Sequence, residues 1–342
     1  MDHFRILRRA FNIVRSYRVL WIFGFLLALT SSNGGSGSNS GYRFGNNNAG
    51  GNSGQNFPWP PGFQWPNIPQ DVMNTIIGVT IGVFCLVLLL ALAFTLVRYV
   101  SETSAIRMVD RYEVSGEKVR FREGWRLGWS RAALRMWLVD LIFGLGAALV
   151  FLVLLAVAAA PLLVWTTQSD VARVIGSVAA AGLGVLWLLL AILVGAVLSL
   201  LGKFFHRAIA LENLGVFDAI RRGWAIVRGR PADVIIMGLI LFGVGLVFAI
   251  AMIPIVLVLV AVAAVAGGLP ALLAGALTNI FAHGFTPQIV AVLIGLPIFL
   301  AVLALPLTFI SGLLEAFSSS TWTLTYREVV ALETIQPQMP AL

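Results

Sequence analysis

Residues Met73–Val97 read MNTIIGVTIGVFCLVLLLALAFTLV, 25 positions without one charged side chain, and Arg98 closes the run. A helix that crosses about 30 Å of hydrocarbon needs roughly 20 predominantly apolar residues, so this stretch is a membrane span. Four more stretches meet the same length: Met136–Trp165, Val174–Leu201, Val234–Ala266 and Ile289–Phe317. A sixth, Val19–Leu29, is short. It follows a basic segment and ends in Thr30, Ser31 and Ser32, which leaves two readings, a retained span or the apolar region of a cleaved signal peptide.

The whole composition agrees with a chain that meets lipid. Of the 342 residues 59% are hydrophobic and only 11% are charged, less than half of the roughly 25% charge of a soluble domain, and the mean hydropathy is +0.93. The net charge of +8 is interleaved with the spans and forms no separate basic domain, which points away from nucleic acid and towards anionic lipid headgroups. The single cysteine, Cys85, lies inside the apolar run, so one chain can form neither a disulfide framework nor a cysteine metal cluster. It reads as a small core or lipid-facing residue.

Positive charge fixes an expected orientation. Five arginines precede Val19, nine Lys and Arg lie between Arg98 and Arg135, six between Lys203 and Arg230, and Arg327 lies in the tail. The loops on the other side have only Arg43 and Arg173. Basic residues flanking spans stay on the cytoplasmic side, so a multi-pass protein of the cell membrane with both termini cytoplasmic is expected.

The expected organisation is residues 1–30 as an interfacial helix and first span, 31–72 as an outer loop, 73–317 as the transmembrane domain and 318–342 as a cytoplasmic tail. The outer loop begins rich in Gly, Asn and Ser, too polar to fold alone, and continues as Asn56-Phe57-Pro58-Trp59-Pro60-Pro61-Gly62-Phe63-Gln64-Trp65-Pro66. That aromatic and proline run suits an anchor at the outer interface or a recognition element for another protein. Leu272–His283 is apolar enough for a short helix lying on the outer face, with His283 a loop residue there.

The chain also resembles itself. Arg8-Arg9-Ala10-Phe11-Asn12-Ile13-Val14-Arg15, Arg122-Glu123-Gly124-Trp125-Arg126-Leu127-Gly128-Trp129 and Arg221-Arg222-Gly223-Trp224-Ala225-Ile226-Val227-Arg228 precede the first, third and fifth spans. The first and third copies share two Arg, a small residue, an aromatic and Ile-Val-Arg in register, and the middle copy is weaker. Phe4, Leu7, Phe11 and Val14 fall on one helical face, as do Ile220, Gly223, Trp224 and Val227, with Arg opposite. Residues 98–111, 203–213 and 318–329 read as extensions of the returning spans. The expected fold is therefore an all-α polytopic transmembrane bundle of six spans, arranged as three parallel two-span repeats with interfacial amphipathic helices.

Arg8, Arg9, Arg15, Arg122, Arg126, Arg221, Arg222 and Arg228 are the candidates for lipid headgroups, each worth about 1 kcal/mol near an anionic leaflet. Ionisable groups in or at the edge of spans are the other candidates. Asp140, about 6 Å into the third span at 1.5 Å per residue, is placed to pair with Arg135 or Arg131 or to meet headgroups. Asp233 beside Pro231 suits a helix N-terminus, and Glu315 lies within reach of Lys203 or Arg207. Pro254, Pro297 and Pro306 interrupt the hydrogen bonding of spans five and six, as in helices that line transport pathways, although proline is also common in ordinary spans. No phosphate loop, His-Glu-x-x-His, Gly-x-Ser-x-Gly or other catalytic or metal-binding motif is present. No cofactor is expected, and an enzyme is not the expected class.

Phe11–Trp21, and Glu212–Asp233 leading into a long span, resemble a group of six-span prokaryotic membrane proteins. That group includes the membrane domain joined to some bacterial glycerophosphodiester phosphodiesterases. The resemblance implies that any hydrolytic work belongs to a separate soluble barrel, which this sequence does not contain, so it carries over no catalytic residue. The expected function is non-enzymatic, organising lipid or a membrane complex through the basic helices, with a transporter or an accessory subunit as alternatives. Anionic lipid is the expected partner, with a protein partner or a second copy besides.

Overall fold

A computed structural model describes residues 1–31, 70–166, 169–281 and 286–335. Among them there is no strand. Nine α-helices follow in order: α1 (His3–Ser16), α2 (Val19–Ser31), α3 (Gln70–Ser115), α4 (Phe121–Gly128), α5 (Arg131–Ala159), α6 (Asp170–Glu212), α7 (Val216–Gly229), α8 (Pro231–Phe281) and α9 (Thr286–Ile335), with a 3-10 segment Ala160–Thr166 after α5. Asp2 caps α1 by accepting the Arg5 amide at 3.1 Å. Pro231 opens α8, where its fixed φ and missing N–H are tolerated. α6 stops at Asn213, the one described non-glycine residue in the left-handed region.

Helices α3, α5 (with its 3-10 extension), α6, α8 and α9 are each long and apolar enough to cross a membrane, and the pair α1 and α2, bent by 101°, qualifies only when taken together. The chain is a multi-pass membrane protein. Each long helix outruns its apolar stretch. α3 continues to Ser115, α6 to Glu212 and α9 to Ile335, and most of the buried core gathers around these continuations.

Ile106, Met108, Phe204, Phe205 and Ile209 are buried there with Tyr17 from the bend between α1 and α2, Leu20 and Phe23 from α2, Met136 from α5, Ile226 from α7, Met237 from α8 and Trp322, Tyr326 and Val329 from α9. We call this end the hub. Residues 318–329, expected as the start of a cytoplasmic tail, are thus part of the core, because their face carries Trp322, Leu324, Tyr326 and Val329. Ser and Thr fill the remaining space. Ser320, Thr321, Thr323 and Thr325 each donate to the carbonyl four residues back in α9, and Thr103 and Ser104 do so in α3, so these hydroxyls are buried without needing another helix.

Where helices cross, glycine allows the approach. A Cβ on Gly24 of α2 would stand 2.2 Å from the Gly312 carbonyl of α9, and one on Gly267 of α8 would stand 2.7 Å from the Gly295 carbonyl of α9. The second contact bears on a correction. Leu272–His283 does not form a separate helix on the outer face, because α8 runs unbroken through Pro254 and Pro270 to Phe281. Proline removes only one ladder bond, and the packing of Gly267 and Ala271 on Gly295 holds the helix through it. His283 and the aromatic run 56–66 lie outside the described residues.

The arginines of the amphipathic helices are a second correction: Arg8 and Arg15 share the exposed side of α1 with Phe4 and Phe11 instead of standing opposite them. In α1, Ile6, Ala10, Ile13 and Val14 are covered, whereas Phe4 and Phe11 are exposed. In α7, Ala219, Gly223 and Ile226 are covered and Trp224 is exposed. Both helices have apolar residues on two sides, and periodicity alone does not say which side meets the protein.

Candidate functional site

The hub contains a chain of ionisable groups from three helices. Tyr99 and Glu102 stand on α3, Asp140 on α5 and His206 on α6. Glu102 Oε1 lies 2.7 Å from His206 Nδ1, His206 Nε2 lies 2.8 Å from Asp140 Oδ1, and the Tyr99 hydroxyl donates to Asp140 Oδ2 at 2.8 Å. A carboxylate offers only acceptors, so the ring satisfies both neighbours when both nitrogens carry a proton, as imidazolium. The two carboxylates stand at opposite ends of the ring and do not converge on a point. No group of three or more His, Cys, Asp and Glu among the described residues is arranged to hold a metal ion.

Arg207, one residue further along α6, is 1% exposed. Its Nη1 donates to the Lys203 carbonyl at 2.6 Å and its Nη2 crosses to the Ser319 carbonyl of α9 at 3.0 Å, while Nε meets no partner. Glu102 and Glu315 are both near enough to act on its charge. Arginine also fastens helix ends elsewhere. Arg107 donates to the Ala210 carbonyl at 3.0 Å and to the Leu127 carbonyl at 2.8 Å, and Arg135 donates to Asn213 and Leu214 carbonyls. Cations belong at such unpaired C-terminal carbonyls.

The residues singled out from the sequence divide accordingly. Asp140 pairs with neither Arg131 nor Arg135. It belongs to the chain with His206 and Tyr99, because Arg135 is turned to the end of α6. Asp233 sits in the first turn of α8 and receives the Met1 amino group at 3.6 Å, His3 Nε2 at 3.7 Å and Arg230 at 3.5 Å. Of the eight arginine candidates, two are engaged by carboxylates: Arg9 with Glu113, and Arg222 with Glu212 at 3.5 Å and Glu333 at 3.1 Å. Partial burial opposes the charge of Arg222, but the two carboxylates outweigh it and hold the guanidinium above the usual arginine range. Arg8, Arg15, Arg122, Arg126, Arg221 and Arg228 are exposed and make no ion pair among the described residues.

The similar segments sit alike. Ala10, Gly124 and Gly223 are each buried, and a Cβ on Gly223 would stand 2.5 Å from the Phe205 ring. The residue before each one, Arg9, Glu123 or Arg222, makes an ion pair to the end of a long helix, Glu123 with Arg111 at 2.8 Å.

His206, Tyr99, Glu102 and Arg207 were not among the sequence candidates. The signal was available: Lys203-Phe204-Phe205-His206-Arg207 puts three ionisable side chains directly after a span, where such groups need partners, and Asp140 required one.

Two depressions accompany these features. A cleft of about 430 Å³ is bordered by Arg9, Asn12, Ser16, Tyr112 and Glu113. A groove of about 400 Å³ between α5 and α6 is lined by apolar residues including Phe143, Val150, Val194 and Leu198.

The profile of a family described as of unknown function, DUF7544, matches residues 5–325. No curated protein and no solved structure matches the chain.

Proposed function

We propose that this chain, which belongs to the family of unknown function DUF7544, is a non-enzymatic membrane scaffold that organises anionic lipid or a membrane complex around its hub. The observation that carries this reading is the division among the arginines. Six of the eight candidate arginines are exposed and free of carboxylates, while the helices that bear them are fastened to the hub by buried small residues and by the ion pairs of Arg9, Glu123 and Arg222. A rigid mount with unneutralised cations on its outer face suits a surface of phosphates.

The scaffold is three units, α1–α3, α4–α6 and α7–α9, each an amphipathic helix followed by an outgoing and a returning helix. An even number of spans per unit keeps the copies in one orientation, related by an axis along the membrane normal. The hub and its arginines face the cytoplasm, the side to which flanking basic residues are retained. The buried chain through His206 is structural in this reading, joining the first two units.

The test reconstitutes the full-length protein in nanodiscs of phosphatidylglycerol and phosphatidylcholine and measures by mass spectrometry which lipid stays with it after detergent extraction. Replacing Arg8, Arg15, Arg122, Arg126, Arg221 and Arg228 together by Gln should lower the preference for phosphatidylglycerol at least about tenfold, given about 1 kcal/mol per cation. An unchanged preference overturns the reading. A second reading, an accessory subunit, is favoured by the apolar window of α3, of which no residue is buried. It predicts that a second membrane protein travels with this one in mild detergent.

A further inference from the structure

Helices α1 and α7 are both 14 residues long, and they agree position by position on the face that the protein leaves uncovered. The second residue is Phe4 or Phe217, the sixth Arg8 or Arg221, the ninth Phe11 or Trp224, and the thirteenth Arg15 or Arg228. Spacings of four, three and four residues at 100° each keep all four side chains within about 60° around the axis. The rings are exposed by 78% and 55% in α1 and by 70% and 52% in α7, and all four arginines are exposed and outside the ion pairs. The opposite face is as closely matched: Ile6, Ala10 and Ile13 in α1 stand where Ala219, Gly223 and Ile226 stand in α7, all buried. The pattern therefore has two independent faces, one for the hub and one for something outside it.

The chemistry of that outer face identifies the partner. A bare aromatic ring on the surface is costly in water, and an arginine on each side of it demands anions. A lipid leaflet at headgroup level offers an acyl boundary for the rings and phosphates for the guanidiniums. α1 is also bent by 101° from the apolar α2, so α1 runs along the membrane plane if α2 enters it. The two arginines of a stripe are seven residues apart, about 10 Å along the axis, too far to share one phosphate with full hydrogen bonding but suited to two neighbouring lipids.

We propose that α1 and α7 carry two equivalent recognition stripes for the phosphodiesters of adjacent anionic glycerophospholipids, and that α4 carries none. This rests on the lipid-organising reading above and narrows it to two of the three basic helices. The exclusion of α4 follows from its register. Trp129 occupies the place of the second arginine, α4 starts at Phe121 after the place of the first ring, and Trp125 is turned inward, its ring 6.5 Å from Phe23 and stacked on it. The rings that α4 does expose, Phe121 by 38% and Trp129 by 58%, stand at its two ends, so no exposed ring lies between Arg122 and Arg126 as Phe11 lies between Arg8 and Arg15.

The experiment compares three full-length double variants in nanodiscs of phosphatidylglycerol and phosphatidylcholine: R8Q/R15Q, R221Q/R228Q and R122Q/R126Q. The substituted side chains are exposed, so folding is not at stake. Phosphatidylglycerol retained after extraction should fall by roughly one half in each of the first two variants, fall to near the phosphatidylcholine background when they are combined, and stay near wild type in the third. Equal losses from all three variants would overturn the stripes while leaving the scaffold reading in place. No loss from any of them, alone or combined, would overturn both. A second set, F4A/F11A and F217A/W224A, keeps every charge. Retained phosphatidylglycerol should still fall about twofold in each, and wild-type retention there would reduce the stripe to a simple cationic patch and overturn the proposal.

Discussion

α3 passes through two environments within one helix. From Ile77 to Phe94 every residue is exposed on every side, among them Leu86, Leu88 and Leu92. From Tyr99 to Val109 most are buried, and Ser101, Thr103 and Ser104 are completely so. The apolar length is outside and the polar length inside, the inverse of a soluble domain. In hydrocarbon, a leucine gains nothing by leaving lipid for protein, so the apolar helices have little drive to pack, and hydrogen bonding and close packing carry association. The hub, where polar groups must find partners, joins all the helices of the core, while outside it α8 and α9 are held by close packing such as that of Gly267 and Ala271 on Gly295.

The largest break in that contrast is His206→Leu. It removes the group that satisfies both Glu102 and Asp140 and leaves two carboxylates buried without their partner. Breaking a buried pair from one side costs about 3–5 kcal/mol. A clear fall in the thermal midpoint of the detergent-solubilised protein is expected, followed by circular dichroism. Asp140→Asn should do less harm, because the amide oxygen still accepts from the ring. Equal midpoints for H206L and wild type would mean that the chain contributes nothing to stability.

A smaller effect separates hub from arm at glycine. A Cβ on Gly128 would stand 2.0 Å from Ser104 Oγ and 2.2 Å from the Val100 carbonyl, whereas one on Gly82 meets nothing within 4 Å. Overpacking at the first site should cost about 1–3 kcal/mol. Gly82→Ala should be neutral, or stabilising by up to about 1 kcal/mol from helix propensity. The midpoints of the two variants decide it, and destabilisation by G82A would reveal that another chain covers the arm.

The sequence made the arms plain and the hub obscure, for one physical reason. An uninterrupted run such as Met73–Val97 has a meaning in lipid that needs no partner, so five long apolar helices follow from composition and length. The hub depends on pairings far apart in sequence, Glu102 with His206 and Asp140 with His206 among them, and no local pattern encodes which carboxylate meets which ring. Asp140 was recognisable as a group in need of a partner, yet nearby Arg135 drew the expected pairing because it is close in sequence. The two apolar faces of α1 were not told apart for a related reason. Phe4 and Phe11 have the spacing of a buried stripe, and so does the stripe of Ile6, Ala10 and Ile13 behind them. Two apolar faces on one short helix mean two different neighbours, which the sequence does not rank.

The smallest effect tests how the amphipathic helices are attached. Arg111 and Glu123 join α3 to α4 at 2.8 Å, with 44% and 45% of their side chains exposed. Arg111 also approaches Glu117 at 4.0 Å, so it has a second carboxylate when Glu123 is lost. Exposed pairs contribute about 0–1 kcal/mol and are screened by salt. Glu123→Gln should therefore lower stability by well under 1 kcal/mol, with the difference from wild type vanishing in high salt. The exchange R111E/E123R keeps the pair but places a second like charge beside Glu117, so it should recover less than the full loss. What holds α4 is instead the closure of Gly124 and Gly128 on α3 and the Phe23 ring, where a Cβ would stand 2.6 Å from Met108 Sδ and 3.1 Å from the ring. A loss from E123Q as large as that from G128A would reverse this order, and would make charge, not close packing, the means by which the amphipathic helices are fixed to the hub.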